Sequence, residues 1–353
     1  MKGMKKIIID PSIRLSYASF YIRGLEEFYG RKNISYSSKY FKNLDRNSES
    51  HAYDHYMAFV LKEGDNIRKV VIDFRDKVSV NESSYNWCDI YAKINFNKQL
   101  TYNRFHEKIL SIPPSFGIKI YGFSETIFLC FANFFRCNFS LIVPLKIFLK
   151  DYLFQYFRRL NIEAYYQKSQ IANIDQNIDN SKQFVFFIST LWEHKFCSEK
   201  TNLLRKRFIE SCKSNQQIDF EGGLFANPLH PQYAEFKEII FSTRYSIESY
   251  IEKTKLSSFV FNTPAVHNCH GWKLGEFLAM GKAIISTPLS NELPEKLIHG
   301  KNIHIVTNDI ELSEAIHLLT TNGAYRKHLE NGARIYYSNY VEPQSVIKLI
   351  LGD

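Results

Sequence analysis

His267, Asn268, His270, Gly271 and Glu276 fall within ten residues of one another, and together they have the makings of a ligand site. Imidazole and amide side chains can donate to, or accept from, sugar hydroxyls and phosphate oxygens. The glycine precedes an apolar-periodic run, so a helix is expected to open at Gly271 or Trp272. A helix N-terminus presents backbone N–H groups and the positive end of its dipole, which suits an anion. Glu276, one or two turns further in, can accept hydrogen bonds from the paired hydroxyls of a ribose. The pattern predicts a nucleotide site, with Gly271, Trp272 and Lys273 at its helical edge.

Positioning such a site requires a strand, a turn, a helix and a second strand. Residues 258–290 read SFVFNTPAVHNCHGWKLGEFLAMGKAIISTPLS, which supplies them in that order. This is a βαβ unit, and open α/β sheets bind ligands at the carboxyl ends of their strands. Upstream, FVFFIST at 184–190 reads as a strand, 198–213 as a helix, and IDFEGG at 218–223 as a strand running into a glycine turn at Glu221, Gly222 and Gly223. A helix over 244–254, a strand at 302–306 and helices over 310–320 and 324–338 complete an alternating series, which predicts a parallel doubly wound sheet.

The first half carries short strands at 5–10, 57–61, 69–74 and 88–95, a helix over 17–29, and a stiff loop, IPPSFG, at 112–117. The polar, Asn/Asp/Gln-rich stretch between 165 and 183 marks the boundary. The expected organisation is an N-terminal domain over 1–168, a linker over 169–182, a C-terminal domain over 183–338, and a final segment over 339–353 that crosses back to the first domain.

At 353 residues the chain suits two domains, and 45% hydrophobic with 23% charged residues is a globular composition. The net charge of +9 favours an anionic partner. Nucleic acid is disfavoured, because the basic residues are dispersed and form no known binding motif. Six cysteines without framework spacing, and MKGMKKIIID leading straight into a strand, point to a reduced, cytoplasmic setting. His267, Cys269 and His270 are too closely spaced for a typical zinc site, so no metal and no cofactor is expected. The apolar run 126–149 is broken by Asn133, Arg136, Asn138 and Pro144, too often for a membrane span. Residues 145–160 interleave Lys146, Lys150, Arg158 and Arg159 with aromatics, the composition of a helix that lies on an anionic membrane or packs on its own domain.

The segment 271–306 resembles the C-terminal half of nucleotide-sugar glycosyltransferases of the two-Rossmann-domain type, GT-B, and is closest to the group 1 transferases of bacterial polysaccharide assembly. Glu276, Ala279, Gly281 and AIIST at 283–287 match the family's Glu-x-x-Ala-x-Gly helix and following strand; His299, Gly300 and Asn302 match a later turn. The resemblance implies two Rossmann-like domains and transfer of a sugar from a nucleoside diphosphate to a glycan or polyprenyl-linked glycan. It also implies that Glu276 holds the ribose. The family carries a second glutamate eight positions earlier; here that position is Asn268, so the loop offers Asn268, His267 and His270 to the donor sugar instead.

In the resembling family, cations after the first C-domain strand neutralise the donor diphosphate. Arg205 is the choice among Arg205, Lys206 and Arg207, with Lys195 as its rival. Glu221 and Gly222 are assigned to close backbone approach at a base or phosphate. In the first half, Asp73, Arg75 and Asp76 end a strand, and Asp73 or Asp76 is expected to deprotonate an acceptor hydroxyl. His51, Asp54 and His55 are weaker base candidates, and Tyr17 and Ser19 follow the first strand. A sugar-nucleotide epimerase of the same fold and a non-catalytic basic membrane-surface protein are the alternatives.

Overall fold

The structure, a computed structural model, describes residues 5–44, 56–101, 103–137, 143–166 and 182–352. His51, Asp54, His55 and all but the last residue of the expected linker lie outside the described residues. Contacts divide the chain into two compact units. The first takes Met1–Ile162, Asn291–Glu295 and Asn339–Asp353, and the second Glu163–Ser290 and Lys296–Ser338.

In the first unit, β1 (Lys5–Ile9), α1 (Leu15–Tyr29) and β2 (Ile34–Tyr36) form a parallel βαβ unit. The strands β3 (Met57–Glu63) and β4 (Asn66–Asp73) form a hairpin turned by Gly64 at φ 60°, a conformation glycine adopts without strain. After α2 (Glu82–Trp87), β5 (Ile90–Lys93) and β6 (Ile109–Ser111) complete a six-stranded sheet of order β2-β1-β3-β4-β5-β6. Because β3 runs antiparallel to both neighbours, this sheet is mixed, and its other pairings are parallel. Two helices, α3 (Phe123–Arg136) and α4 (Leu145–Phe157), pack against each other, and Asp151 of α4 accepts from the Ser16 backbone of α1 at 3.3 Å. No helix among the described residues is long and apolar enough to cross a membrane.

In the second unit, β7 (Gln183–Thr190), α5 (Asn202–Ser214) and β8 (Ile218–Phe225) form one parallel pair with its crossover. The short α6 (Tyr233–Phe236) and α7 (Ile247–Leu256) lead to β9 (Val260–Asn262), then α8 (Trp272–Ala279), β10 (Ile284–Ser286) and β11 (His304–Ile305). The last three strands form a parallel ladder, and Ser258 N–H donates to Phe184 O at 2.7 Å just before β9. This sets β9 beside β7 and gives the spatial order β8-β7-β9-β10-β11. Two further helices, α9 (Asp309–Thr321) and α10 (Gly323–Tyr336), pack on α5 and α8 respectively, so both faces of the sheet are covered. Phe187, Phe208, Phe259, Phe261 and Ile285 share the core between these layers. This unit is a doubly wound, Rossmann-like α/β sandwich, and its strand order reverses between β7 and β9.

The glycine turn expected at Glu221, Gly222 and Gly223 is corrected: all three lie inside β8, paired with Phe186, Phe187 and Ile188 of β7. Their glycines serve strand packing. Gly222 has φ 128°, and a Cβ there would lie 1.9 Å from the Phe187 carbonyl oxygen. After α10 the chain returns to the first unit through α11 (Pro343–Leu351), which packs along α1 where Gly24 leaves room for the Pro343 carbonyl.

Candidate functional site

Reversal of strand order opens a crevice at the carboxyl ends of β7 and β9. A pocket of about 330 Å³ occupies it, walled by Phe187, Phe225, Tyr250 and Phe261 and edged by Arg205, Thr263, Gly271, Trp272 and Lys273. Its volume falls at the lower end of those for small-ligand sites. Gly271 caps α8 without a side chain, and the first turn carries no acidic residue. The positive helix end therefore has no internal carboxylate competing for it.

Of the three adjacent cations on α5, Arg205 alone is buried. Its Nε donates to Thr263 Oγ1 at 3.0 Å and Nη1 to the Thr190 carbonyl at 3.2 Å, pinning the guanidinium between the ends of β7 and β9. Burial lowers its pKa to about 10, still well above neutrality. Lys206 donates to the Glu235 carbonyl at 3.0 Å, Arg207 pairs with Asp309, and Lys195 is exposed beside Glu199 at 3.9 Å. None of these three lines the pocket. From the other side, Lys273 Nζ donates to the Ile188 carbonyl and lies 5.1 Å from the Phe187 ring centre. Although part of its side chain is accessible, the ammonium is crowded by protein. Desolvation, then repulsion from Arg205, lowers its pKa to about 7, with Glu276 opposing.

Glu276 is buried in the second turn of α8 and accepts from the Tyr250 hydroxyl at 3.0 Å. It stands behind the lining rather than in it, and Tyr250 is the pocket-facing member of the pair. Burial and the neighbouring carboxylate push the Tyr250 hydroxyl well above its usual range, so it remains a donor. The loop before α8 holds two successive non-glycine residues at positive φ, His267 at 56° and Asn268 at 59°. The His267 ring packs against His194 at 4.5 Å between centres. Asn268 and buried His270 line a smaller, adjoining recess with Thr263 and Gly271. The structure thus brings Arg205, Gly271, Trp272 and Lys273 to one pocket and sets Glu276, Asn268 and His270 around it.

Glu221 lies elsewhere, on the edge strand β8, where it accepts from Lys253 Nζ at 2.7 Å and from the Tyr245 hydroxyl. It does not line the pocket, and neither does Gly222. Most of the lining was not singled out from the sequence, Thr263, Trp192 and Tyr250 among it. Thr263, the first residue after β9, and Trp192, the second after β7, could have been found from strand ends. Tyr250 had no signal beyond an inward helical spacing with Ile247, Ile251 and Thr254.

Asp73 is a correction. The expected base is completely buried in the first unit, accepting from Arg75 Nη2 and Lys93 Nζ at 2.9 Å each, Tyr91 Oη at 2.6 Å and the Arg75 backbone N–H at 3.0 Å. Burial alone would raise its pKa, but the two cations hold it well below the ordinary carboxylate range. A carboxylate so stabilised as an anion is a poor base, and solvent cannot reach it. A strand end reads as exposed in sequence; here Lys93, its register partner on β5, closes over it. Asp76 is exposed. Ser19, buried in α1, accepts from Ile118 N–H at 3.0 Å, and Tyr17 stacks on Phe74 at 5.4 Å. Among the described residues, no group of three or more His, Cys, Asp or Glu side chains is placed to hold a metal ion.

No protein-family model and no curated protein matches the sequence. The chain is similar to solved glycosyltransferases. The C-terminal domain of a group 1 family glycosyl transferase (LpcC) from Francisella tularensis matches at 13% identity and TM-score 0.36, over 50% of this chain and 96% of that one. WaaG, a glycosyltransferase involved in lipopolysaccharide biosynthesis, matches at 12% and 0.38, over 95% and 96%. A protein named as a UDP-N-acetylglucosamine 2-epimerase, from Listeria monocytogenes, matches at 13% and 0.38, over 78% and 70%. The chain spans about half the length of two others, TarM and a trehalose-phosphate synthase. At these scores the likenesses carry no weight for chemistry, and the fold stands on its own strand order and registers.

Proposed function

We propose that the chain is a glycosyltransferase that takes a sugar from a nucleoside-diphosphate donor held in the β7–β9 pocket and delivers it to a glycan or lipid-linked glycan. The observation that carries this reading is the convergence of Arg205, Lys273 and the N-terminus of α8 on one apolar-walled pocket. Two cations and a helix dipole suit a diphosphate, and the aromatic walls suit a base or sugar face. As the bond between the sugar C1 and the diphosphate oxygen breaks, its electrons leave with the nucleoside diphosphate. Arg205, fixed by Thr263 and the Thr190 carbonyl, meets that developing charge without reorganising. The Glu276–Tyr250 pair is assigned to the ribose hydroxyls, and Asn268, His267 and His270 to the donor sugar. Asp76, the exposed carboxylate of the Asp73/Asp76 pair, is assigned to accept the acceptor's proton.

A calorimetric titration with a panel of nucleoside diphosphates and their sugars tests the reading. Binding of at least one, weakened tenfold or more in Arg205→Ala, is expected. The absence of binding across the panel would remove the nucleotide from the site. Turnover of the bound nucleotide sugar without any acceptor would indicate epimerisation in place of transfer.

A further inference from the structure

Helix α3 buries a mainly polar set of side chains, and both α3 and α4 leave apolar ones facing outward. In α3 the buried residues are Thr126, Cys130 and Asn133, and Asn133 donates its amide to the Tyr152 hydroxyl at 3.0 Å. Its outward stripe is Phe128, Phe131 and Phe135, at helical spacing, with Phe128 67% and Phe135 76% exposed. In α4, Phe148 and Tyr152 are buried together with Asp151 and Gln155, yet Ile147, Phe154 and Phe157 stand out. Phe123 at the start of α3 meets Phe157 at the end of α4, with ring centres 6.2 Å apart, so the two outward faces join. A helix surrounded by water turns its apolar stripe to the core, and a contiguous exposed apolar face marks a surface that something else covers.

The surrounding charge selects the occupant. Between 119 and 159 the cations are Lys119, Arg136, Lys146, Lys150, Arg158 and Arg159, against two acids, Glu125 and Asp151. Asp151 is buried on Ser16, and Glu125 pairs with Arg31. Lys119 lies 4.7 Å from the Tyr156 ring centre and Arg159 lies 4.9 Å from that of Phe154. Long cationic stems along an apolar face, with heads at its margin, complement anionic headgroups above acyl chains. A second copy of the chain would set like charges against each other.

We propose that the α3–α4 face inserts into the surface of an anionic bilayer, its phenylalanines entering the acyl boundary and its cations remaining among the headgroups. The insertion does not depend on the proposed reaction, but it would bring a lipid-linked acceptor to the protein. The test is co-sedimentation of the full chain with vesicles of phosphatidylglycerol and phosphatidylcholine. Between about 0.1 and 1 M salt the Debye length falls from about 10 to about 3 Å, so binding should weaken several-fold yet persist, because apolar insertion is not screened. The triple variant Phe128→Ser, Phe131→Ser, Phe135→Ser should bind at least tenfold more weakly while keeping its nucleotide affinity. Should that variant not fold, Phe135→Trp provides the readout: its fluorescence should be quenched by brominated lipid beyond the quenching of the wild type. No sedimentation at any salt, complete release by salt, or no added quenching of Phe135→Trp would overturn the proposal. So would a wild-type dimer that the serine variant converts to monomer, since that gives the face to a second copy.

Discussion

The Tyr250 hydroxyl donates to the Glu276 carboxylate at 3.0 Å, joining the pocket wall on α7 to the acidic residue buried in α8. In the ribose site proposed above the two act together: Tyr250 lines the pocket, and Glu276 holds its hydroxyl from behind. Glu276→Ala should weaken nucleoside diphosphate binding by about tenfold to a hundredfold, the equivalent of roughly 1.5–3 kcal/mol for a hydrogen bond to a charged group. Tyr250→Phe should reproduce much of that loss. Calorimetry on both variants checks this, and unchanged affinity in Glu276→Ala would take the carboxylate out of the site.

Lys273 should give the proposed donor binding a pH dependence. Its ammonium is stripped of water and faces Arg205, so its pKa falls to about 7. The protonated form attracts a diphosphate, so affinity should be greatest below pH 7 and fall as pH rises through that value. A nucleotide sugar is the right probe, because its diphosphate diester carries no proton near neutrality. Lys273→Arg should flatten the profile, and Lys273→Met should lower affinity across the range and remove the step.

Asp73 should prove to be a residue of stability. Replacing it with Asn leaves Lys93 and Arg75 buried without their counter-charge, which typically costs about 3–5 kcal/mol. Its folded pKa lies below its unfolded value, so the carboxylate's contribution is present at neutral pH and is lost as pH falls through the folded pKa. Urea unfolding of Asp73→Asn at neutral pH should show the loss directly. A variant of wild-type stability that lacks only activity would restore Asp73 as a catalytic candidate.

Gly222→Ala should separate β8 from β7. A methyl group there would sit 1.9 Å from the Phe187 carbonyl oxygen on a backbone at φ 128°. The expected loss is on the order of 3 kcal/mol or more, visible as a lowered Tm. Gly64→Ala, with nothing within 4 Å of the added carbon, isolates the backbone strain and should cost less.

Donor binding should survive EDTA, since Arg205, Lys273 and the start of α8 supply the positive charge that a diphosphate needs. Titration before and after chelation is the measurement. Loss of binding on chelation, restored by manganese or magnesium, would mean that the site recruits a metal.

Local pattern was enough to reveal the strand–turn–helix–strand order of 258–290 and the opening of α8 after Gly271. Apolar periodicity and a side-chain-free cap are properties of neighbours in sequence, so both could be read from the chain alone. Strands read at 57–61 and 69–74 leave seven residues between them, which hides the two-residue turn at Gly64 and Asp65 that the longer β3–β4 pairing reveals. Burial was decided only in three dimensions. Arg205, Lys206 and Arg207 are equivalent in sequence, and the rotation of α5 against β7 and β9 sends one inward and leaves the others outside. Asp73 and Asp76 likewise lie three positions apart, yet Lys93 and Tyr91, brought alongside by β5, seal one of them from water. The outward phenylalanines of α3 were visible as composition, but their exposure depends on which face α4 covers. A sequence determines local conformation through nearest neighbours, whereas solvation and charge are set by partners that only the tertiary fold brings together.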